Sequence, residues 1–235
     1  MEFPTTQWTL LADATLHGDA TAAGALAEFI RRYRGPVVQF IRIRGWPAAE
    51  VEDLAQDFLI HMMEKSTLRR FDANRGRFRS YLLGALIRFL SDARDRQTAL
   101  KRGGTIPPVT LESAEFTGDL AATPPPEAAA FDQQWALGLL ALTLAALAAE
   151  YAQRGRAAEF AILRAYVPGG IQPPPYEESA TSLGLPLAAF KTEVHRLRKR
   201  FRMLLREQIV ATVGSRDEVE AEFLYLRQVL QGTTP

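Results

Sequence analysis

Apolar residues recur at the spacing of an amphipathic helix along most of this chain. From Val51 to Met62 they stand at i, i+3, i+4, i+7, i+8 and i+11, which places them on one face of an α-helix. Similar stripes run over about 21–44, 77–96, 126–151 and 156–166, and from 187 onward. No alternation of apolar and polar residues is long enough to predict a sheet. The chain is therefore predicted to be all-α.

The predicted helices fall into two groups, separated by a stretch that has no apolar period. This stretch contains Gly103-Gly104, Pro107-Pro108 and a run of three prolines at 124–126, as is typical of extended linkers. Five acids and no bases lie between Glu112 and Asp132. We therefore predict a helical domain over 1–100, an extended acidic linker over 101–127, a second helical domain over 128–212, and a helical tail over 213–235 that packs on the second domain.

Composition excludes several classes of site. The chain has 235 residues and no cysteine, which excludes a disulfide framework, a thiol nucleophile and a cysteine-based zinc site. Its three histidines, His17, His61 and His195, are far apart in sequence, so no metal or cofactor is predicted. A P-loop, a Glu-x-x-His pair and a grouped nucleophile and base are all missing from the sequence, so an enzyme has little support.

Nothing in the sequence predicts membrane insertion. The longest apolar run, Leu137–Ala149, is shorter than the roughly 20 residues that a spanning helix needs. The first residues, Met1-Glu2-Phe3-Pro4, have neither the basic start nor the apolar stretch of a signal peptide. We therefore expect a soluble cytoplasmic protein.

The net charge of +1 conceals two basic blocks. Residues 69–102 carry ten bases against three acids, and residues 190–206 carry seven bases against one acid. Two separated basic blocks favour two contacts with a polyanion. A solvated helix face is the alternative for either block alone.

The second basic block belongs to the most specific pattern in the chain. From Tyr176, a short predicted helix containing Ala180 leads through Gly184, where a sharp turn needs a permissive backbone, into a second helix that starts near Leu187. This spacing predicts a helix-turn-helix whose second helix reads the major groove of DNA. An ordinary helical hairpin is the alternative. The candidate DNA contacts lie on the polar face of that helix: Lys191, Thr192, Glu193, His195, Arg196, Lys199 and Arg200.

In the first basic block, arginines alternate with aromatic residues just before and within a predicted helix. Aromatic rings stack on unpaired bases, each worth roughly 1–3 kcal/mol, while guanidinium groups hold phosphates. A core position is the alternative for the aromatic residues, because their spacing is helical. The candidate contacts to single-stranded DNA are Arg75, Arg77, Phe78, Arg79, Ser80, Tyr81, Arg88, Arg94 and Arg96.

The helix over 51–62 has a mixed acidic and apolar face opposite its core stripe. This face carries Asp53, Gln56, Asp57 and Ile60 and is suited to a basic or mixed partner helix. A merely solvated face is equally consistent with the pattern.

Taken in their order along the chain, the motifs resemble those of a bacterial sigma factor of the sigma-70 family, extracytoplasmic-function (ECF) group. The resemblance rests on residues 52–58 (Glu-Asp-Leu-Ala-Gln-Asp-Phe), on residues 75–83 (Arg-Gly-Arg-Phe-Arg-Ser-Tyr-Leu-Leu) and on the helix-turn-helix from Tyr176. It covers about 20–97 and 130–210. Two departures from the family pattern are Ser179, which takes a usually aliphatic position, and Glu193, which takes a usually basic one.

The resemblance implies a role for each surface. The face with Asp53, Gln56, Asp57 and Ile60 would bind the largest subunit of core RNA polymerase. The segment from Arg75 to Arg96 would melt and capture the minus-ten promoter element, and the helix from Leu187 would read the minus-thirty-five element. An anti-sigma factor or another regulator is a further candidate partner. A stand-alone helix-turn-helix regulator is the alternative function.

Overall fold

A computed structural model describes residues 20–63, 78–101, 126–169, 172–210, 212–213 and 216–231. Every regular element in these ranges is helical, in agreement with the all-α prediction. The helices are α1 (Ala20–Ile43), α2 (Ala48–Met62), α3 (Phe78–Lys101), α4 (Pro126–Gln153), α5 (Ala157–Leu163), a 3-10 turn (Arg164–Tyr166), α6 (Tyr176–Ser182), α7 (Leu187–Val210) and α8 (Arg216–Leu230).

The first helical pair forms where the apolar stripes predict it. Helix α1 continues through Pro36 without a break, although proline in a helix interior removes one backbone hydrogen bond. The chain then turns at Gly45, whose φ of +76° is a conformation that glycine adopts at little cost. Pro47 precedes the first turn of α2, where its missing N–H is tolerated.

Helix α4 is the central element of the molecule. It packs most extensively against α1 and α7 and also contacts α5 and α8. Phe131 and Trp135, near its start, belong to a core with α1, α2 and α3. Leu147 and Tyr151, near its end, belong to a second core with α5, α6 and α7. The structure therefore has two cores, but the border between them lies within α4, whereas the predicted linker precedes it.

Further contacts join the first helical group, α1 to α3, to the second, α4 to α8. Arg32 of α1 is buried and donates to the backbone oxygen and the side-chain oxygen of Gln208 in α7, at 3.1 and 2.6 Å. The ring of Tyr33 lies 4.7 Å from that of Trp135. We call the region where α1 packs on α4 and α7 the seam. Because side chains from both helical groups fill it, the described residues pack as one body. The part of the linker that precedes α4, residues 102–125, lies outside the described residues.

Helix α8 lies within the segment 213–235 that the sequence analysis describes as a helical tail. It packs against α4 and α7. Val219 and Leu226 of this helix are also buried in the first core. The tail is therefore part of the seam.

One helix, over Ala128–Gln153, is long and apolar enough to span a membrane by length and composition alone, with a mean hydropathy of 1.6 in its most apolar stretch. Core helices pass the same test. Here Trp135, Leu139 and Leu147 of this helix are buried among other helices, as expected of a core helix.

Candidate functional site

The acidic face of α2 is open to solvent. Asp53, Gln56, Asp57 and Ile60 are all exposed, Ile60 to 53%, and their spacing of i, i+3, i+4 and i+7 places them on one side of the helix. The opposite side buries Phe58 and its neighbours in the first core. The structure therefore brings these four predicted residues together as one surface.

Other acids of α2 are occupied by neighbouring helices. Glu52 accepts a hydrogen bond from Arg34 at 2.6 Å and lies 3.5 Å from Arg42. Glu50 accepts from the Gln97 side chain at 2.7 Å. These contacts orient α2 on α1 and α3, so the face around Asp53 is presented by a fixed scaffold.

The start of α3 lies in the interior. Phe78 and Tyr81 are buried at 0% and 7% exposure, and the Phe78 ring packs 5.3 Å from that of Tyr33. These two aromatic residues are predicted to stack on DNA bases, but they occupy core positions in this structure. A core position is the alternative that the sequence analysis gives for them. Arg75 and Arg77 lie outside the described residues.

Arg79 is the centre of a buried charged cluster. It is 6% exposed, and its guanidinium forms ion pairs with Asp132 of α4 and, at 3.2 Å, with Glu222 of α8. Its Cζ lies 4.5 Å from the centre of the Tyr225 ring, and the Tyr225 hydroxyl is hydrogen-bonded to Asp132. We call Arg79, Asp132, Glu222 and Tyr225 the Arg79 cluster.

Charge and burial act in opposite directions on the pKa of Arg79 and in the same direction on that of Tyr225. Burial alone lowers the pKa of the Arg79 guanidinium, but the negative charges of Glu222 and Asp132 outweigh burial and raise the pKa above its ordinary value. Burial also raises the pKa of Tyr225, and its hydrogen bond to Asp132 raises it further. Arg79 therefore stays cationic and Tyr225 stays protonated at neutral pH.

The remaining candidates on α3 are more accessible. Ser80, Arg88 and Arg96 are half-buried, and Arg94 is exposed. Arg94 lies over the Trp46 ring at 5.4 Å and donates to the Arg44 carbonyl, while Arg96 donates to the Asp92 carbonyl at 3.2 Å. The second half of α3 therefore offers a cationic surface that its first turn does not.

Helices α6 and α7 are set at a sharp turn. Gly184 has a φ of +64°, and the Leu185 N–H donates back to the Ala180 carbonyl at 2.9 Å. Ser179, the departure from the family pattern, is buried and hydrogen-bonded to the Tyr166 hydroxyl at 2.7 Å. Its side chain is therefore satisfied, and α6 is anchored to the 3-10 turn.

The outward face of α7 carries most of the second predicted DNA surface. Phe190 and Val194 point into the second core, which directs the polar residues of the helix outward. The exposed candidates are Lys191, Thr192, His195, Arg196 and Lys199. We call these five residues the α7 face.

The other two candidates on α7 have partners within the protein. Glu193 accepts from Arg156 at 3.0 Å and from Arg196 at 2.9 Å. Arg200 donates to the Glu150 carboxylate of α4 at 3.0 Å. These hydrogen bonds lower the pKa of Glu150. Glu193 and Arg200 thus tie α7 to α5 and α4.

The pattern of the sequence did not indicate a role for Asp132, Glu222 or Tyr225. One signal was available: Asp132 is a lone acid in an apolar helix stretch, and buried carboxylates are rare unless they are paired. The partner of this acid is far away in sequence, which periodicity does not reveal. Within the described ranges, no three histidine or acidic side chains are grouped to hold a metal ion.

Part of the chain matches a known protein family. Residues 29–99 match the family model described as sigma-70 region 2. The match spans most of α1, all of α2 and nearly all of α3, and so includes the open face of α2 and the Arg79 segment. The matched segment is therefore similar to region 2 of sigma-70 family sigma factors, which recognise promoters and initiate transcription. No curated protein and no solved structure matches the chain.

Proposed function

We propose that this protein is a sigma factor of the ECF group, which binds core RNA polymerase and directs promoter recognition, promoter melting and transcription initiation. The observation that carries the proposal is the sigma-70 region 2 match over 29–99, combined with an exposed face on α2 inside that match. The protein supplies binding and positioning and no covalent chemistry. Sigma factors are in general soluble cytoplasmic proteins, and a cytoplasmic location is part of the proposal.

In this proposal, the α2 face docks on the largest subunit of the polymerase. Asp53 and Asp57 supply negative charge, Gln56 supplies a hydrogen-bonding amide, and Ile60 adds an apolar contact. Such a mixed face suits a helical partner with basic and apolar residues, because charge complementarity orients the pair while apolar burial adds affinity. The fixed orientation of α2 lowers the entropic cost of docking.

Two surfaces contact promoter DNA in this proposal. Helix α3 and the arginines before it take the minus-ten element, where guanidinium groups hold the phosphates of the unpaired strand. The α7 face takes the minus-thirty-five element in the major groove, with Lys191, Arg196 and Lys199 on phosphates and Thr192 and His195 near base edges. The acidic linker over 101–127 passes toward the polymerase active-site channel.

A stand-alone DNA-binding regulator is the second candidate function. The exposed basic α7 face after a sharp helical turn favours it independently of the family match. The two functions differ in one requirement, because a sigma factor acts only together with core polymerase. An anti-sigma factor is a candidate regulator of the first function.

Run-off transcription tests the proposal directly. The full chain is mixed with core RNA polymerase from the same source and with genomic fragments, and transcript starts are mapped. We expect discrete start sites that require both the chain and the core enzyme. Absence of any binding to core polymerase would reject the sigma-factor assignment. Tight sequence-specific binding to duplex DNA without polymerase would support the stand-alone regulator.

A further inference from the structure

Arg79 lies where the proposed function needs an available DNA contact, yet its guanidinium is enclosed. Asp132 and Glu222, which flank it, are themselves 8% and 2% exposed. Carboxylates bind guanidinium groups with the same charge-assisted hydrogen bonds as phosphates do. In this arrangement, protein carboxylates therefore take the place that a DNA phosphate would need.

Helix α8 contributes half of the Arg79 cluster. It supplies Glu222 and Tyr225, while α4 supplies Asp132. Because α8 is the last described helix and packs on α4 and α7, it closes over a surface that the earlier helices build. Removing α8 from this position would take Glu222 away from Arg79 and leave Asp132 beside it.

The energetics of the Arg79 cluster suit a contact that opens. Taking each ion out of water has a large free-energy cost, and the attraction between buried ions roughly repays that cost. The ion pairs therefore specify one geometry but add little net stability. Interactions with polymerase or DNA have to repay mainly the apolar burial of α8, which includes Val219 and Leu226.

The packing beside α8 is also open. A groove of about 650 Å³ that is open to solvent lies between α8, α4 and α7 and is lined largely by apolar side chains, including Phe223, Leu226 and Leu230 of α8 and Leu139 and Phe201 of the other two helices. Side chains along an open groove make fewer packing contacts than those enclosed in a core. We therefore expect α8 to open more readily than the helices that are enclosed on all sides.

We propose that α8 is an intramolecular latch, which holds Arg79 against Glu222, Asp132 and Tyr225 and is released when the chain joins core polymerase. The latch rests on the proposed function, because it withholds a minus-ten contact of a sigma factor. In its closed position, α8 leaves the α2 face and the α7 face exposed and covers only the start of α3. The free chain is then able to find polymerase while it has low affinity for single-stranded promoter DNA.

A charge reversal tests the latch. E222K places a cation beside Arg79, so the two positive charges repel each other and α8 opens. E220K makes the same charge change two residues earlier on α8, where Glu220 is exposed and lies 2.9 Å from Arg206. Y225F adds no charge and removes only the hydrogen bond to Asp132. It is the milder variant if E222K does not fold.

Amide hydrogen exchange over 216–231 measures the opening. In the free chain, we expect E222K to exchange about tenfold faster there than the parent, Y225F to exchange about threefold faster, and E220K to stay within twofold. In the parent, exchange over 216–231 rises when core polymerase binds. Slow exchange over 216–231 in a transcribing holoenzyme would overturn the latch, as would equal exchange in E222K and E220K.

Binding to a single-stranded minus-ten oligonucleotide gives the functional readout. We expect E222K to bind about tenfold more tightly than E220K, because both carry the same added charge and only E222K takes the Glu222 carboxylate and its helix away from Arg79. Equal affinities would reject the latch while leaving the sigma-factor function intact. If the parent and all variants fail to initiate transcription with core polymerase, the proposed function itself fails, and the role of the latch fails with it.

Discussion

The two proposed DNA surfaces have similar chemistry but differ in their availability. At the start of α3, Arg79 is buried between two carboxylates that come from α4 and α8. On the α7 face, Lys191, Arg196 and Lys199 are exposed. The local sequence makes both segments basic, whereas the distant helices that pack on each of them decide whether it is accessible. A basic motif therefore identifies a candidate contact but does not indicate whether the free protein presents it.

The largest expected effect comes from removing a side chain where the two helical groups meet, because this packing decides which of the two DNA surfaces is covered. Trp135 is 1% exposed and its ring packs 4.7 Å from that of Tyr33. We expect W135A to lower the free energy of unfolding by about 3–5 kcal/mol, because it leaves a large cavity between α1 and α4. Urea unfolding followed by circular dichroism measures the loss.

L137A is the matched control for this seam. Leu137 lies on the same helix but is 43% exposed, so its removal should change stability by less than about 0.5 kcal/mol. If both variants lose the same free energy, the contact between Tyr33 and Trp135 does not hold the two helical groups together. The difference in accessibility between Arg79 on α3 and the α7 face would then need another cause.

The second prediction concerns the exposed surface. R196A/K199A should weaken binding to promoter duplex about 10- to 100-fold and lower the slope of log affinity against log salt by about two units, one for each phosphate that is no longer neutralised. The variant R164A/R227A removes two exposed charges elsewhere and serves as the control. Titrations at several salt concentrations measure both slopes. An unaltered slope in R196A/K199A would show that these side chains do not bind phosphate.

The sequence predicts local features of the α7 face well and the environment of Arg79 poorly. Gly184 and the apolar stripe through Phe190 and Val194 determine a turn and a helix orientation, and these interactions span only a few residues. The burial of Arg79 depends on Asp132 and Glu222, which are 53 and 143 positions away along the chain. Pairing over such distances is set by how whole helices pack, which periodicity within one helix does not encode.

The third prediction tests whether the open face of α2 acts independently of the closed start of α3. We expect D53A/Q56A to weaken binding to core polymerase about tenfold, because the double substitution removes both a carboxylate and an amide from the docking face. The free energy of unfolding should stay within about 0.5 kcal/mol of the parent, because both residues are exposed. E52Q is the matched control, since Glu52 on the same helix already pairs with Arg34. Equal core affinity in the parent and D53A/Q56A would refute the docking assignment.

The smallest expected effect distinguishes a partly exposed ion pair from the buried Arg79 cluster. Hydrogen bonds from Arg200 lower the pKa of Glu150 in the folded protein. The pair therefore stabilises the fold above the ordinary glutamate pKa of about 4.3, and this contribution is lost as the pH falls through the lowered pKa. Because both side chains are partly exposed, we expect E150Q to cost only about 0.5–1 kcal/mol at pH 7.

Urea unfolding at pH 7 and at pH 3 measures this difference. The gap between the parent and E150Q should narrow at pH 3, because the unfolded chain takes up a proton at Glu150 below about pH 4.3 and the ion pair then contributes less to stability. E207Q is the control, because Glu207 is 58% exposed and lies 3.5 Å from Arg200, so the variant should match the parent at both pH values. A gap of the same size at both pH values would show that the ionised form of Glu150 does not hold α7 to α4, and the α7 face would then be positioned by its other contacts.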